Sequence, residues 1–228
     1  MSDVGAAAGR TGPEPLNARA SSEILAIGKR LRVAREQRGI GLRELSRRVD
    51  VSASMVSQIE LGRVMPSVAT LYQITSALGL SLDDLFAPTE ASASGPRPTA
   101  EAGNAASRNG GGPVQRADSR KRLMLGNGIT WELLTAEPQS DVEFLRTIYG
   151  VGSESAPADA LMTHGGKEYG LIEDGHLGVT VGFETYELRP GDSISFDSTM
   201  PHRLFNLADR PTTALWVVVG RRGDTRLS

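Results

Sequence analysis

Three side chains in the stretch from Leu42 to Arg63, namely Ser54, Ser57 and Gln58, carry hydrogen-bonding groups of the kind able to meet nucleobase edges. A carboxamide can bond bidentately to adenine and a hydroxyl to several bases, whereas a bulky apolar face would suit a protein contact. The three stand with Met55 on the outward side of a helix starting at Ala53, in which Val56 and Ile59 face inward. Ser52 is a good N-cap because its hydroxyl can accept a backbone N–H one turn ahead, and Gly62 offers a C-terminal stop.

A second element must hold that helix in place. Leu42, Leu45 and Val49 recur at i, i+3 and i+7, one apolar stripe on a helix of about two turns. Arg43, Arg47 and Arg48 lie off the stripe, and Asp50-Val51-Ser52 interrupts the pattern. Two short helices joined by a tight turn make a helix-turn-helix, the shape of a DNA reader. The alternative is a plain helical hairpin with solvated polar faces. Upstream, Ile24, Ile27, Leu31 and Ala34 predict a helix capped by Ser22 and ended by Gly39, with Lys29, Arg30, Arg32 and Arg35 on its wet side. Downstream, Pro66-Ser67 is a stop and a cap; Val68, Leu71, Ile74 and Leu78 mark a fourth helix, and Leu82, Leu85 and Phe86 a fifth. Five helices with inward faces that close on one another form a self-sufficient domain.

Composition bounds the rest. The 228 residues are 39% hydrophobic, enough for a core, and hold no cysteine. Disulfides, thiolate metal sites and a cysteine nucleophile are therefore excluded. The N-terminus lacks a signal peptide and no run of ~18 apolar residues occurs, so a cytoplasmic chain with no membrane partner is expected. A net charge of −2 hides an asymmetry: residues 24–86 carry nine basic and six acidic side chains, residues 119–222 ten and fourteen. A basic end facing phosphates and an acidic end facing elsewhere suits a two-part regulator. Residues 1–21 read as a disordered arm, 22–87 as the helical domain, and 88–118, rich in Gly, Pro, Ser and Ala, as a flexible linker. A second domain over 119–222 and a tail over 223–228 complete the chain.

The helical region resembles the lambda-repressor-like, or XRE-type, helix-turn-helix domain, most specifically in SASMVSQIELGRVMPS. The resemblance implies a recognition helix over Ala53 to Glu60. It makes Ser54, Ser57 and Gln58 base readers, places Arg63 and Ser67 near phosphates, and adds Ser52 and Arg43 to the DNA-binding set. Ala53 departs from the longer polar residue many relatives carry there, and Glu60 is expected to be structural.

From Leu123 the period becomes two. MLGNGITWELLT, VEFLRTIY, EYGLIE, HLGVTVG, ETYELR, SISFD and ALWVVVG are short and β-branched or aromatic, which points to an antiparallel sandwich or barrel. This half resembles the cupins: His164, Glu168 and Gly175 match the first cupin motif, and Pro190-Gly191-Asp192 with His202 and Asn206 the second. In metal-binding cupins two histidines and a carboxylate of the first motif join a histidine of the second. Here Met162 stands where the first histidine belongs, leaving His164, Glu168 and His202, a set able to hold Fe, Mn or Zn. The alternative implied is a metal-free pocket in which those residues, with Met162, Tyr149 and Arg146, bind a small-molecule effector. Arg203 is a further pocket candidate; the alternative places are the core for Tyr149 and the surface for Arg203.

Both resemblances together match the XRE-cupin class of regulators. The expected fold is multidomain α plus β, a five-helix lambda-repressor-like domain followed by an antiparallel cupin β-barrel or jelly roll. The expected function is a sequence-specific DNA-binding transcription regulator, not an enzyme, acting as a homodimer on a pseudo-palindromic operator in double-stranded DNA. The alternative is a metal-dependent cupin enzyme, a dioxygenase or isomerase, with an appended DNA-binding domain. No Ser-His-Asp order, phosphate loop or paired-acid constellation supports other chemistry. A slack linker transmits a signal only if the helical head also touches the barrel or a second head.

Overall fold

A computed structural model of the chain describes residues 16–86, 112–139 and 141–221. Of the arm expected over 1–21, the linker over 88–118 and the tail over 223–228, residues 1–15, 88–111 and 223–228 lie outside the described residues. Residues 16–21 are helical rather than an irregular arm, and a 3-10 turn spans Ala117–Ser119 at the expected end of the linker. Five helices come first: α1 (Leu16–Gln37), α2 (Leu42–Arg48), α3 (Ala53–Glu60), α4 (Val68–Ala77) and α5 (Leu82–Phe86). Helix α1 starts before Ser22, which is thus no cap; LNARAS holds good helix formers and neither Gly nor Pro. The stripes read from spacing are buried: Leu31, Leu45, Val49, Val56, Ile59, Leu71, Ile74 and Leu78 are all in the core. Ser52 caps α3 by accepting from Met55 N at 3.1 Å, and Ser67 caps α4 by accepting from Thr70 N at 3.2 Å.

A further expectation fails in the helical half. Arg35 is buried rather than on the wet side. It sits beside Ala34 and one turn after Leu31, close enough to α3 for its Nε and Nη2 to reach Glu60 Oε1 and Oε2 at 2.6 and 2.9 Å. Its Nη1 donates to Ile40 O at 2.8 Å, so one guanidinium ties α1, α3 and the turn before α2.

Nine strands follow: β1 (Arg122–Met124), β2 (Ile129–Leu133), β3 (Val142–Tyr149), β4 (Lys167–Asp174), β5 (Leu177–Val181), β6 (Glu184–Leu188), β7 (Ser193–Asp197), β8 (His202–Asn206) and β9 (Thr212–Val219). They form a six-stranded sheet in the order β1-β2-β3-β9-β4-β7 and a three-stranded sheet in the order β6-β5-β8, every pair antiparallel. The expected barrel is not closed. Among the described residues no ladder joins β6 to β7, and beyond its ladder with β5, β8 has only the single bridges Glu154↔Phe205 and Met162↔His202. The architecture is an open two-sheet sandwich.

The two halves touch. Gly126 N donates to Pro66 O at 2.9 Å and Ala69 N to Ser155 O at 3.3 Å. Gln139 N donates to Asp83 Oδ2 at 3.0 Å, and Tyr72 Oη to Glu143 Oε2 at 3.0 Å. Buried apolar residues of both halves merge into one cluster, so the contact is a packed interface as well as a set of bonds.

Candidate functional site

Alternation positions the polar centre. In β4 the buried residues are Glu168, Gly170 and Ile172, and in β8 they are His202, Leu204 and Asn206. Glu168 and His202 are thus aimed inward from different sheets, and His164 joins them from the loop ahead of β4. His164 Nε2 lies 2.9 Å and His202 Nε2 3.1 Å from the same oxygen, Glu168 Oε1.

These three atoms are close yet not aligned as hydrogen bonds, and none has a hydrogen-bond partner. Their other sides are fixed. His164 Nδ1 donates to Gly165 O at 3.0 Å and His202 Nδ1 to Met200 O at 2.8 Å. A carbonyl only accepts, so each Nδ1 carries the proton and each Nε2 presents a lone pair. Trp216 Nε1 donates to Glu168 Oε2 at 2.6 Å, leaving Oε1 for the centre. Burial opposes charge on Glu168, but the two imidazoles outweigh it and hold the carboxyl well below the usual carboxylate range. Burial likewise opposes charge on His202, and contact with Glu168 outweighs it, raising the imidazole above its ordinary value. Three converging lone-pair donors, oriented from behind by two carbonyls and an indole, fit a divalent cation.

The centre is roofed by the helical half. Tyr72 of α4 stacks on His164 with ring centroids 4.7 Å apart and planes 14° apart, and meets Trp131 edge-on at 5.4 Å. Arg221 passes 4.8 Å over the Tyr72 ring. It pairs with Glu143 at 2.6 Å and donates to Thr75 Oγ1 at 3.1 Å and Leu80 O at 3.3 Å. Burial pushes the Tyr72 hydroxyl well above its usual range, helped by the charge of Glu143. Beside this roof opens a cleft of about 590 Å³ lined by Arg48, Gln73 and Ser76 on one side and Thr163, His164 and Arg221 on the other.

Of the other pocket candidates, Met162 is buried and exchanges backbone hydrogen bonds with His202 at 2.9 and 3.0 Å. Tyr149 is buried on the same face of β3 as Glu143, and burial, then the Glu168 charge, raises its hydroxyl above the ordinary value. Arg146 is not in the pocket. It lies on the opposite face of β3, where it meets Glu173 at 3.0 Å and Glu132 at 3.5 Å. Arg203 also faces away, paired with Glu154 at 2.8 Å and stacked 4.3 Å over Phe205. Asn206 does structural work, donating to Tyr149 O, Gly150 O and Arg210 O at 2.8–3.0 Å. Tyr72, Glu143, Trp216 and Arg221 are missed by sequence reasoning; the trace in the sequence is an aromatic, Tyr72, at the edge of its helix's apolar stripe, one turn after Val68.

On the helical half, Arg43, Ser54 and Arg63 are exposed, and Ser57 and Gln58 half-buried, with the sandwich in place. Ser52 and Ser67 spend their hydroxyls on the helix caps.

Comparison with known proteins agrees with both halves. A helix-turn-helix family model matches residues 31–85 and a cupin-domain model residues 147–218. The HTH-type transcriptional regulator PuuR of Escherichia coli is 26% identical over 188 residues, 82% of this chain and 90% of the relative. The uncharacterized HTH-type transcriptional regulator y4dJ of Sinorhizobium fredii is 34% identical over 71 residues, 31% of this chain and 92% of the relative. The crystal structure of an HTH_3 family transcriptional regulator from Vibrio cholerae shares the fold, with a TM-score of 0.60 and 21% identity over 88% of this chain and 98% of that one. No described helix is long and apolar enough to cross a membrane. With a helix-turn-helix whose two helices and caps form as its spacing demands, packed on a cupin sandwich, the chain belongs to the XRE-type HTH transcriptional regulators that carry a cupin domain.

Proposed function

We propose that the protein is a sequence-specific regulator whose cupin half takes a small-molecule effector at the His164–Glu168–His202 centre and pairs two chains on DNA. The observation that carries this is the convergence of three lone-pair donors beside a cleft shared with α4. The donor set suits a resident Mn, Fe or Zn ion, which would supply positive charge and open positions for an oxygen-bearing effector. Ser54, Ser57 and Gln58 read bases, while Arg43 and Arg63, exposed and without ion pairs among the described residues, meet phosphates. Two paired heads suit half-sites one helical turn, ~34 Å, apart.

Replacing Ser54 and Gln58 together by alanine is expected to weaken binding to the protein's own operator by ~1–3 kcal/mol, with little change on unrelated DNA. Fluorescence anisotropy on both duplexes checks it, and an equal loss on every sequence would remove the base-reading role. The same donor set also favours a second reading, a metal-dependent cupin enzyme. Elemental analysis combined with operator recovery from the genome separates the two: metal-loaded protein with no preferred DNA sites would favour the enzyme.

A further inference from the structure

Tyr72 belongs to the DNA-binding half by sequence and to the cupin centre by position. It is 6% exposed, and its surroundings are His164, Trp131, Glu143 and Arg221, all from the sandwich half. The imidazole that bears one of the three donor atoms therefore leans on an aromatic face supplied by α4.

We propose that the DNA-binding domain completes the cupin centre: Tyr72 positions the His164 imidazole for a divalent ion, so that ion loading and docking of α4 strengthen each other. The inference rests on the ion-site reading given above. A free histidine loses rotamer freedom when it is fixed on an ion; the stack on Tyr72 and the Nδ1 bond to Gly165 O restrict it beforehand. An imidazole bound to a cation is also poorer in electrons, and its attraction to the face of a phenol ring rises. Linkage makes the effect reciprocal: whatever factor docked α4 adds to ion affinity, the ion adds to docking.

Docking then fixes the head. Pro66 and Ala69, at the join between α3 and α4, bond to Gly126 and Ser155 of the sandwich, so the recognition helix is placed by this interface. Arg43, Ser54 and Arg63 remain exposed in the docked arrangement, so a docked head can still meet DNA. The ion state of the centre would thereby set how rigidly two paired heads are held on their half-sites, a link the 88–118 linker need not carry.

The test uses the full chain and Mn(II) alone, with calorimetry for affinity and amide hydrogen exchange of α4 for docking. Tyr72→Ala should bind Mn(II) about tenfold more weakly than wild type, within the usual range of coupling between sites. Tyr72→Phe, which keeps the ring, should recover most of that loss. Gly126→Val lies away from the centre, but a Cβ at Gly126 would stand 3.0 Å from Met65 O and 3.2 Å from Pro66 O. It should loosen docking, and Mn(II) affinity should fall with it. In wild type, Mn(II) should slow exchange of the Ala69 and Tyr72 amides. Wild-type Mn(II) affinity in both Tyr72→Ala and Gly126→Val, or α4 exchange unmoved by bound Mn(II), would overturn the inference while leaving the ion site standing. A wild-type chain that takes up neither Mn(II), Fe(II) nor Zn(II) would remove the ion site and the inference together. If Tyr72→Ala fails to fold, Gly126→Val and the wild-type exchange experiment decide.

Discussion

Arg35→Ala is expected to destabilise the helical half by about 3–5 kcal/mol, the range found when one member of a buried ion pair is removed. The side chains of Arg35 and Glu60 are only 9% and 5% exposed. The truncation would leave the Glu60 carboxylate buried without its two guanidinium donors and Ile40 O without its partner. The hydrogen bond to Glu60 holds the Arg35 guanidinium above even its ordinary range, so the charge is never surrendered to relieve the site. Arg35→Met with Glu60→Met should recover most of the loss, because a buried pair can be exchanged for apolar side chains of similar volume at little penalty. Urea unfolding followed by circular dichroism measures both. A loss under ~1 kcal/mol in Arg35→Ala would mean that water reaches Glu60 and the pair matters little. Glu60 is the last residue of α3, so the same variant should also loosen the recognition helix and weaken operator binding.

Arg35 also illustrates what a sequence conceals. On α1 the stripe Ile27, Leu31, Ala34 is legible because apolar side chains recur with the helical period, and α2, α3 and α4 are legible for the same reason. An arginine next to the stripe carries no mark of whether it turns to water or to a carboxylate on another helix. Caps are local, so Ser52 and Ser67 were readable where they stand. For Arg146 the sequence does carry the signal against a shared pocket: it and Tyr149 are an odd number of residues apart in one strand, so they cannot share a face. Strand β8 is hidden in the sequence because its inward members, His202 and Asn206, are polar and break the apolar alternation.

Tyr72 marks the limit. Its hydrogen bond to Glu143 spans 71 residues and that of Arg221 to Thr75 spans 146. Contacts of that range leave no spacing pattern, and between them lies a glycine- and proline-rich stretch that invites the picture of two independent parts. The trace in the sequence is that α4 carries an aromatic at the edge of the stripe formed by Val68, Leu71, Ile74 and Leu78. A large apolar ring that its own domain does not cover needs other cover. The halves share one hydrophobic cluster and an aromatic stack at the centre, so coupling between them need not pass through residues 88–118.

Gly170→Ala is expected to lower divalent-ion affinity by about 10–100-fold although residue 170 offers no ligand atom, the usual effect of disturbing a group that orients a ligand. Gly170 faces inward on β4, directly opposite Trp216 of β9. A Cβ there would fall on the indole, 2.6 Å from Cε3 and closer still to Cζ3. The buried ring must move, and its Nε1 bond of 2.6 Å to Glu168 Oε2 goes with it. Glu168 then loses the donor that turns Oε1 toward the two imidazoles. Trp216→Phe removes the same donor and should match the loss, while His202→Ala removes a donor atom outright and should leave no stoichiometric ion. Because a smaller ring leaves room for the new methyl, Gly170→Ala combined with Trp216→Phe should fall no further than Trp216→Phe alone, the non-additivity expected of two changes acting through one contact. Calorimetric titration of folded protein with Mn(II) measures all four. Additive losses in the double variant would place the effect of Gly170 outside the indole, and unchanged affinity in Gly170→Ala would mean that Glu168 is oriented without Trp216.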